Sequence, residues 1–181
     1  MMYFVLSMFA QEHIQFMGIP INGHISAITP RLQAKGLTLK DKSNDDCYVF
    51  TGKFAGYDEA EIFVFNTIKS KTVWKVVVYL PEKNEWSSLK SQYERLKESF
   101  NTKYEIENEF HFFQSPYYDG DGYEMTALKT GKAHFVTFYK TQNGGVSIGM
   151  SEFKQIRISY EDKINVEIQK KEKEAAIMDD I

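Results

Sequence analysis

The fold is decided by residues 73–100, VWKVVVYLPEKNEWSSLKSQYERLKESF. In this stretch the spacing of the apolar residues changes from two to between three and four. As far as Leu80 the side chains alternate with the period of two that predicts a β-strand. Pro81 ends this strand because proline donates no ladder hydrogen bond. From Trp86 to Phe100 apolar residues recur every three or four positions, which predicts an amphipathic helix of about five turns.

The residues before this stretch repeat the same kinds of element. Apolar residues at helical spacing predict a helix within 25–36, and Pro30 predicts a kink that divides it into two short helices. Alternating segments joined by short, turn-rich connections then occupy 37–80. This spacing is typical of an antiparallel meander.

The residues after this stretch again favour strands. Alternating segments occur near 110–113 and at 133–140, 145–150 and 153–160, with a hairpin signal at Asn143-Gly144-Gly145.

We therefore predict an α+β fold made of two units, 11–81 and 82–160, each a helix with about four antiparallel strands. The units are expected to form one continuous antiparallel sheet with the helices on one face. The charged residues 161–181 predict a C-terminal helical tail.

The composition excludes several classes of protein. With 43% hydrophobic and 26% charged residues among 181, the chain is neither disordered nor a coiled coil. A net charge of −3, with only three arginines among 22 basic residues, argues against nucleic-acid binding. The single cysteine, Cys47, excludes an internal disulfide and a site with several thiolate ligands, so we expect it to be a small core residue.

Residues 1–10, MMYFVLSMFA, form an uncharged apolar run that ends in a small residue. This is typical of the second half of a secretory signal peptide, although the basic n-region is missing. We predict a truncated signal peptide and an exported protein, periplasmic or secreted; the alternative is an apolar strand that packs on the core. No apolar run is long enough to span a membrane.

Residues 16–36 (FMGIPINGHISAITPRLQAKG) and 49–54 (VFTGKF) resemble a family of small exported proteins of unassigned function from Bacteroides-type bacteria. In that family the first segment follows a signal peptide ending in Ala-Gln, which Ala10-Gln11 matches. The resemblance implies export but supplies no site residues. Separately, two successive units of a helix and four strands are similar to the tandem repeat of the beta-lactamase inhibitor protein. This second likeness is one of fold alone.

The loop Asp119-Gly120-Asp121-Gly122, followed by Glu124, is a candidate metal site. Alternate carboxylates on a glycine-bent loop suit calcium, which prefers oxygen ligands. Because the complete EF-hand pattern is missing, a solvated turn is the alternative. No other cofactor is predicted.

No catalytic motif is present. Residues 145–149, GVSIG, match a nucleophile elbow in letters, but they lie in a predicted strand that no helix follows. The alternative function is a small metal-dependent hydrolase that uses Asp119, Asp121, Glu124, His111 and His134. This function requires the five side chains to meet in one pocket.

Helices can cover only one face of the predicted sheet, yet several strands carry apolar residues on both faces. An uncovered aromatic face is an interaction surface. We therefore predict a non-enzymatic binding module whose partner is a protein or a second copy, with a glycan also possible. The candidate contact residues are Tyr48, Tyr79, Phe135 and Tyr139. The alternative is that the N-terminal segment and the tail helix cover this face.

Overall fold

The computed structural model describes residues 13–180, which form an eight-stranded sheet, a two-stranded sheet and four helices. The strands are β1 (Gln15–Phe16), β2 (Ile19–Pro20), β3 (Thr38–Asn44), β4 (Cys47–Phe54), β5 (Tyr57–Asn66), β6 (Val73–Tyr79), β7 (Ile106–Phe113), β8 (Ala133–Lys140), β9 (Gly144–Met150) and β10 (Ile156–Asp162). The helices are α1 (Ile25–Ala34), α2 (Trp86–Asn101), α3 (Glu124–Lys129) and α4 (Lys163–Asp180). The predicted signal peptide at 1–10 lies outside the described residues.

The large sheet is antiparallel throughout, with strand order β3-β4-β5-β6-β10-β9-β8-β7. Each half of the chain supplies four consecutive strands, and the halves join where β6 pairs with β10. Tyr79 lies opposite Arg157 at this junction, and Lys75 lies opposite Glu161. The α+β prediction with one continuous antiparallel sheet is confirmed. The two edges of the sheet are β3 and β7.

The core lies between one face of the sheet and the helices α1 and α2. On α2 the residues Leu89, Tyr93 and Leu96 are buried, as the helical spacing predicts. They share one continuous core with the buried residues of α1 and with alternate residues of the strands. We call the opposite face of the sheet the open face.

The prediction that Pro30 divides α1 into two helices was wrong, because α1 is continuous from Ile25 to Ala34. Pro30 lies on the exposed side of the helix. The carbonyl of Ser26, which loses its usual N–H donor, therefore faces water and needs no partner within the protein. At the start of α1, His24 Nδ1 accepts the Ser26 N–H at 3.2 Å.

The tail helix α4 is fixed to the sheet through its first turn. Asn165 is buried, and its Nδ2 donates to the carbonyls of Ile21 (2.9 Å) and Val73 (2.8 Å). Farther along α4, Glu172 accepts the backbone N–H groups of Lys69 and Ser70. Within 13–180, no helix has both the length and the apolar character to cross a membrane.

Candidate functional site

The open face carries a groove of about 1020 Å³ over the junction of β5, β6 and β10. Strands β5 and β6 and the connection between β9 and β10 form most of its walls. Among the residues that the structure describes, none from α4 or from the N-terminal hairpin lines the groove. Five aromatic side chains line it: Phe63, Phe65, Trp74, Tyr79 and Phe153.

Strand register explains why these side chains meet. Phe63 lies opposite Val77, which in turn lies opposite Ser159, so the three share the open face. Val77, 3% exposed, forms part of the groove floor, and Ser159, 6% exposed, is buried beside it on the same face. Tyr79 makes edge contacts with Phe63 and Phe153, at ring-centroid distances of 5.7 and 6.4 Å.

A second aromatic pair extends the groove toward the turn between β5 and β6. The rings of Phe65 and Trp74 are 6.2 Å apart, and the register between β5 and β6 shifts just after Phe65. The Nζ of Lys75 lies 5.5 Å from the centroid of the Trp74 ring. The groove thus has an apolar strip along its length with charged groups beside it.

The charges in the groove differ in how far they are neutralised. Lys75 forms an ion pair with Glu161, and Lys154 forms one with Glu82. Arg157, in contrast, is exposed and forms no salt bridge within residues 13–180. Arg157 lies between Tyr79 on β6 and Gly149 on β9. Because Gly149 has no side chain, the Arg157 guanidinium stays accessible.

A free negative charge also lies near the groove floor. Glu61 is opposite Tyr79 on the other side from Arg157, is exposed, and has no salt-bridge partner in the described part of the chain. The two charges are two strand spacings apart, about 10 Å. The rim adds Glu152 and Lys129, which are likewise without ion pairs between residues 13 and 180.

Of the four predicted contact residues, only Tyr79 lies in the groove. Phe135 and Tyr139 are on the helix face, 8% and 1% exposed, where their rings contact Trp86 and Phe100 of α2. Burial raises the pKa of Tyr139 to about 12. The prediction that these two residues contact a partner was therefore wrong.

Tyr48 is the fourth predicted contact residue. It lies opposite Val64 on the helix face and packs, partly buried, against the core. The prediction that Tyr48 contacts a partner on the open face was therefore also wrong.

His111 belongs to a polar network beneath α2. Its Nε2 is 2.8 Å from Tyr93 Oη, which is 2.6 Å from Thr137 Oγ1. Thr137 donates to Glu109 Oε1 at 3.1 Å, and Lys97 forms an ion pair with the same carboxylate. Burial opposes ionisation of Glu109, but the hydrogen bonds from Lys97 and Thr137 outweigh it and lower its pKa. The hydrogen-bonding groups of these residues are used within the network, which indicates a structural role.

His134 lies on the other side of the sheet from His111. The strands β7 and β8 are neighbours, as a shared metal site requires, but His134 pairs with Phe112 and stacks on it at 4.8 Å on the open face. Because successive side chains of a strand point to opposite faces, the two histidines cannot hold one ion. Between residues 13 and 180, no group of three or more His, Cys, Asp or Glu is placed to hold a metal.

The carboxylates of the 119–124 loop bond to the loop itself. Asp121 accepts the N–H groups of Tyr118 and Tyr123, and Glu124 accepts that of Gly120. Asp119 pairs instead with Lys90 of α2 at 3.2 Å. The loop therefore keeps its shape through its own hydrogen bonds, and calcium binding there stays a prediction. The structure does not bring the five predicted hydrolase residues into one pocket.

Cys47 and the GVSIG segment both lie within strands of the large sheet. Cys47 is half-buried on β4, and burial, followed by the charges of Asp46 and Asp41, raises its pKa to about 11. The segment 145–149 lies within β9, as predicted.

Four groove aromatics and Arg157 were not among the predicted site residues. Phe63 and Phe65 had a signal, because they alternate with Ile62 and Val64 and so give β5 two apolar faces. Arg157 had none, since only the pairing of β6 with β10 places it beside Tyr79. Comparisons with protein-family models, curated proteins and solved structures found no match to this chain, so both resemblances noted from the sequence remain predictions.

Proposed function

We propose that this chain is a non-enzymatic binding protein whose open-face groove takes an apolar segment of a partner protein. The observation that carries the proposal is the uncovered row of five aromatic side chains over the centre of the sheet. Large exposed apolar patches with polar rims are typical of interaction sites. Export, predicted from residues 1–10, is kept as part of this proposal.

The groove favours apolar side chains over sugars. Between Phe63 and Phe65 the groove offers ring faces and the aliphatic Val77, and its charged groups lie beside this strip. Phe153 is 57% exposed at the rim and can close over a bound side chain. Aromatic anchors of this kind supply most of the energy in protein interfaces.

The charges of Arg157 and Glu61, which form no ion pair in the described part of the chain, predict which charged residues the partner segment carries. Arg157 offers a planar fork of donors next to an aromatic ring, a setting that suits a carboxylate. Glu61 offers the opposite charge on the far side of Tyr79. The preferred segment therefore combines apolar residues with an Asp or Glu directed at Arg157, and a basic residue directed at Glu61.

Selection from a displayed library of random linear peptides tests this proposal. We expect enriched peptides to combine aromatic or aliphatic residues with an acidic residue. Calorimetry with one such peptide should show binding about fivefold or more weaker for Phe153→Ser. Tyr118→Ser is the matched control, because Tyr118 is 65% exposed but lies outside the groove.

The charge preference is tested separately. Arg157→Glu should lose the acidic peptides and favour basic ones, since like charges across an interface repel. Peptides that bind the wild type and both serine variants equally would contradict the proposal. Binding of an arrayed glycan that Phe153→Ser abolishes, with no peptide selected, would assign the groove to sugars instead. The export part predicts an exported chain, periplasmic or secreted, whose mature N-terminus is Gln11, as N-terminal sequencing would show.

A further inference from the structure

A second pocket, of about 230 Å³, lies where α2 meets the start of β5 and the connection between β6 and α2. We call it the α2 pocket. Tyr57 of β5 and Lys83 of the connection line it, together with four residues at i, i+3, i+4 and i+7 of α2, which share one side of the helix. These four are Ser88, Ser91, Gln92 and Arg95. No described residue lines both this pocket and the open-face groove, so the two sites are separate.

The α2 pocket offers positive charge without a carboxylate to neutralise it. Neither Lys83 nor Arg95 forms a salt bridge within residues 13–180, and no Asp or Glu of that range lines the pocket. Arg95 donates one N–H to Tyr57 Oη, and its guanidinium carbon lies 5.8 Å from the centroid of the Tyr57 ring. This contact holds the guanidinium in place and leaves its other N–H groups available to a ligand.

Gln92 supplies an amide that the described part of the protein leaves without a partner. The residue is 3% exposed, yet neither its Oε1 nor its Nε2 is hydrogen-bonded to any described residue. Buried polar groups are nearly always hydrogen-bonded, and an exception commonly marks the position of a water molecule or an ion. Ser88 lies one turn before Gln92 and Arg95 lies one turn after it, so the unpartnered amide is at the centre of the polar side of the pocket.

We infer that the α2 pocket binds the phosphate group of a small phosphate monoester. The two cations match the charge of such a group, which is about −1.5 to −2 at pH 7. The hydroxyl groups of Ser88 and Ser91 and the amide of Gln92 add neutral donors for an anion with three terminal oxygens. A carboxylate has two oxygens and one charge, and it would leave one of the cations without a partner.

The length of the pocket favours an ester over the free phosphate ion. Ser88 and Arg95 are seven residues apart, which is about 10 Å along the axis of α2. This is longer than a single phosphate group, so part of the pocket is left for the organic part of the molecule. The site does not depend on the proposed function and can fail without affecting it.

An NMR titration of the full chain with inorganic phosphate tests the anion site. We expect the side-chain amide signals of Gln92 to shift with phosphate but not with chloride at equal ionic strength. Lys83→Met and Arg95→Met should each weaken phosphate binding by about tenfold, because each removes a hydrogen bond from a charged donor. Lys42→Met is the matched control, since Lys42 is exposed on β3 and lies outside the pocket. Equal shifts with both salts, or cation variants that bind phosphate as tightly as Lys42→Met, would overturn the inference.

Gln92→Leu separates a ligand-binding amide from a structural one. Because the amide has no partner among residues 13–180, the variant without phosphate should unfold at a Tm equal to or above that of the wild type. Its affinity for phosphate should nevertheless fall several-fold. A lower Tm in the absence of phosphate would show that the fold itself uses the amide, and an unchanged affinity would show that the anion does not; either result contradicts the assignment.

The ester is tested with methyl phosphate, glycerol 3-phosphate and glucose 6-phosphate in the same titration. At least one of them should bind more tightly than inorganic phosphate, and Lys83→Met should weaken that binding as well. If none of the three binds more tightly than the free ion, the assignment to a phosphate ester is wrong. Tighter binding of glucose 6-sulfate than of glucose 6-phosphate would assign the pocket to sulfate esters instead.

Discussion

Asp162 joins the last strand, the tail helix and the N-terminal hairpin, and its removal should destabilise the whole fold. The side chain is fully buried, and both of its oxygens are used. Oδ1 accepts the N–H groups of Ile164 (3.1 Å) and Asn165 (3.0 Å), which caps α4. Oδ2 accepts the N–H of Ile14 at 3.2 Å and lies 3.0 Å from His13 Nδ1.

The expected loss for Asp162→Ala follows from these bonds. Loss of an N-cap costs about 1 kcal/mol, and a buried amide left without an acceptor costs about 2 kcal/mol more. The free energy of unfolding should therefore fall by about 3 kcal/mol. For a chain of this length that corresponds to a decrease in Tm of about 6–12 °C.

Urea denaturation followed by circular dichroism measures this loss. The slope of the transition should stay unchanged, because the variant exposes the same surface on unfolding. Asp58→Ala is the control, since Asp58 is 82% exposed in its ion pair with Lys53 and should change stability by less than about 0.5 kcal/mol. An Asp162→Ala chain as stable as the Asp58→Ala chain would refute the argument that these buried bonds hold α4 in place.

Three further outcomes follow from local geometry. A Cβ at Gly144 would lie 2.0 Å from a backbone carbonyl, whereas one at Gly145 would meet nothing within 4 Å. Gly144→Ala should thus lower stability by about 1–3 kcal/mol in thermal unfolding, and Gly145→Ala far less. Because the pKa of Glu109 is below its ordinary 4.5, its contribution to stability is present above that pH and is lost as pH falls. Lys97→Met should flatten the acid side of a stability–pH profile, and an unchanged profile would contradict this. The pKa of about 11 at Cys47 predicts slow alkylation at neutral pH compared with the urea-unfolded chain, as mass spectrometry can follow.

The helix α2 could be predicted from the sequence together with its buried side. A period near 3.6 identifies one stripe of the helix, and only that stripe is apolar, so the direction of burial comes with the pattern. Leu89, Tyr93 and Leu96 are buried accordingly.

Which side chains of β8 are buried could not be predicted in the same way. A period of two separates Phe135 and Tyr139 from Val136 and Phe138, but both sets are apolar. Which set is buried depends on where α2 lies, and that is decided by contacts between distant parts of the chain. The pattern therefore gave the right strand and the wrong contact residues.

The groove depends on such distant contacts even more strongly. Arg157 reaches Tyr79 only because the last strand of the second unit pairs with the last strand of the first. The alternating pattern predicts a strand from Phe153, but β10 begins only at Ile156, so the period does not give the direction of the Phe153 side chain. The prediction of an uncovered face needed only the count of helices and strands, whereas the residues of the site needed the strand order.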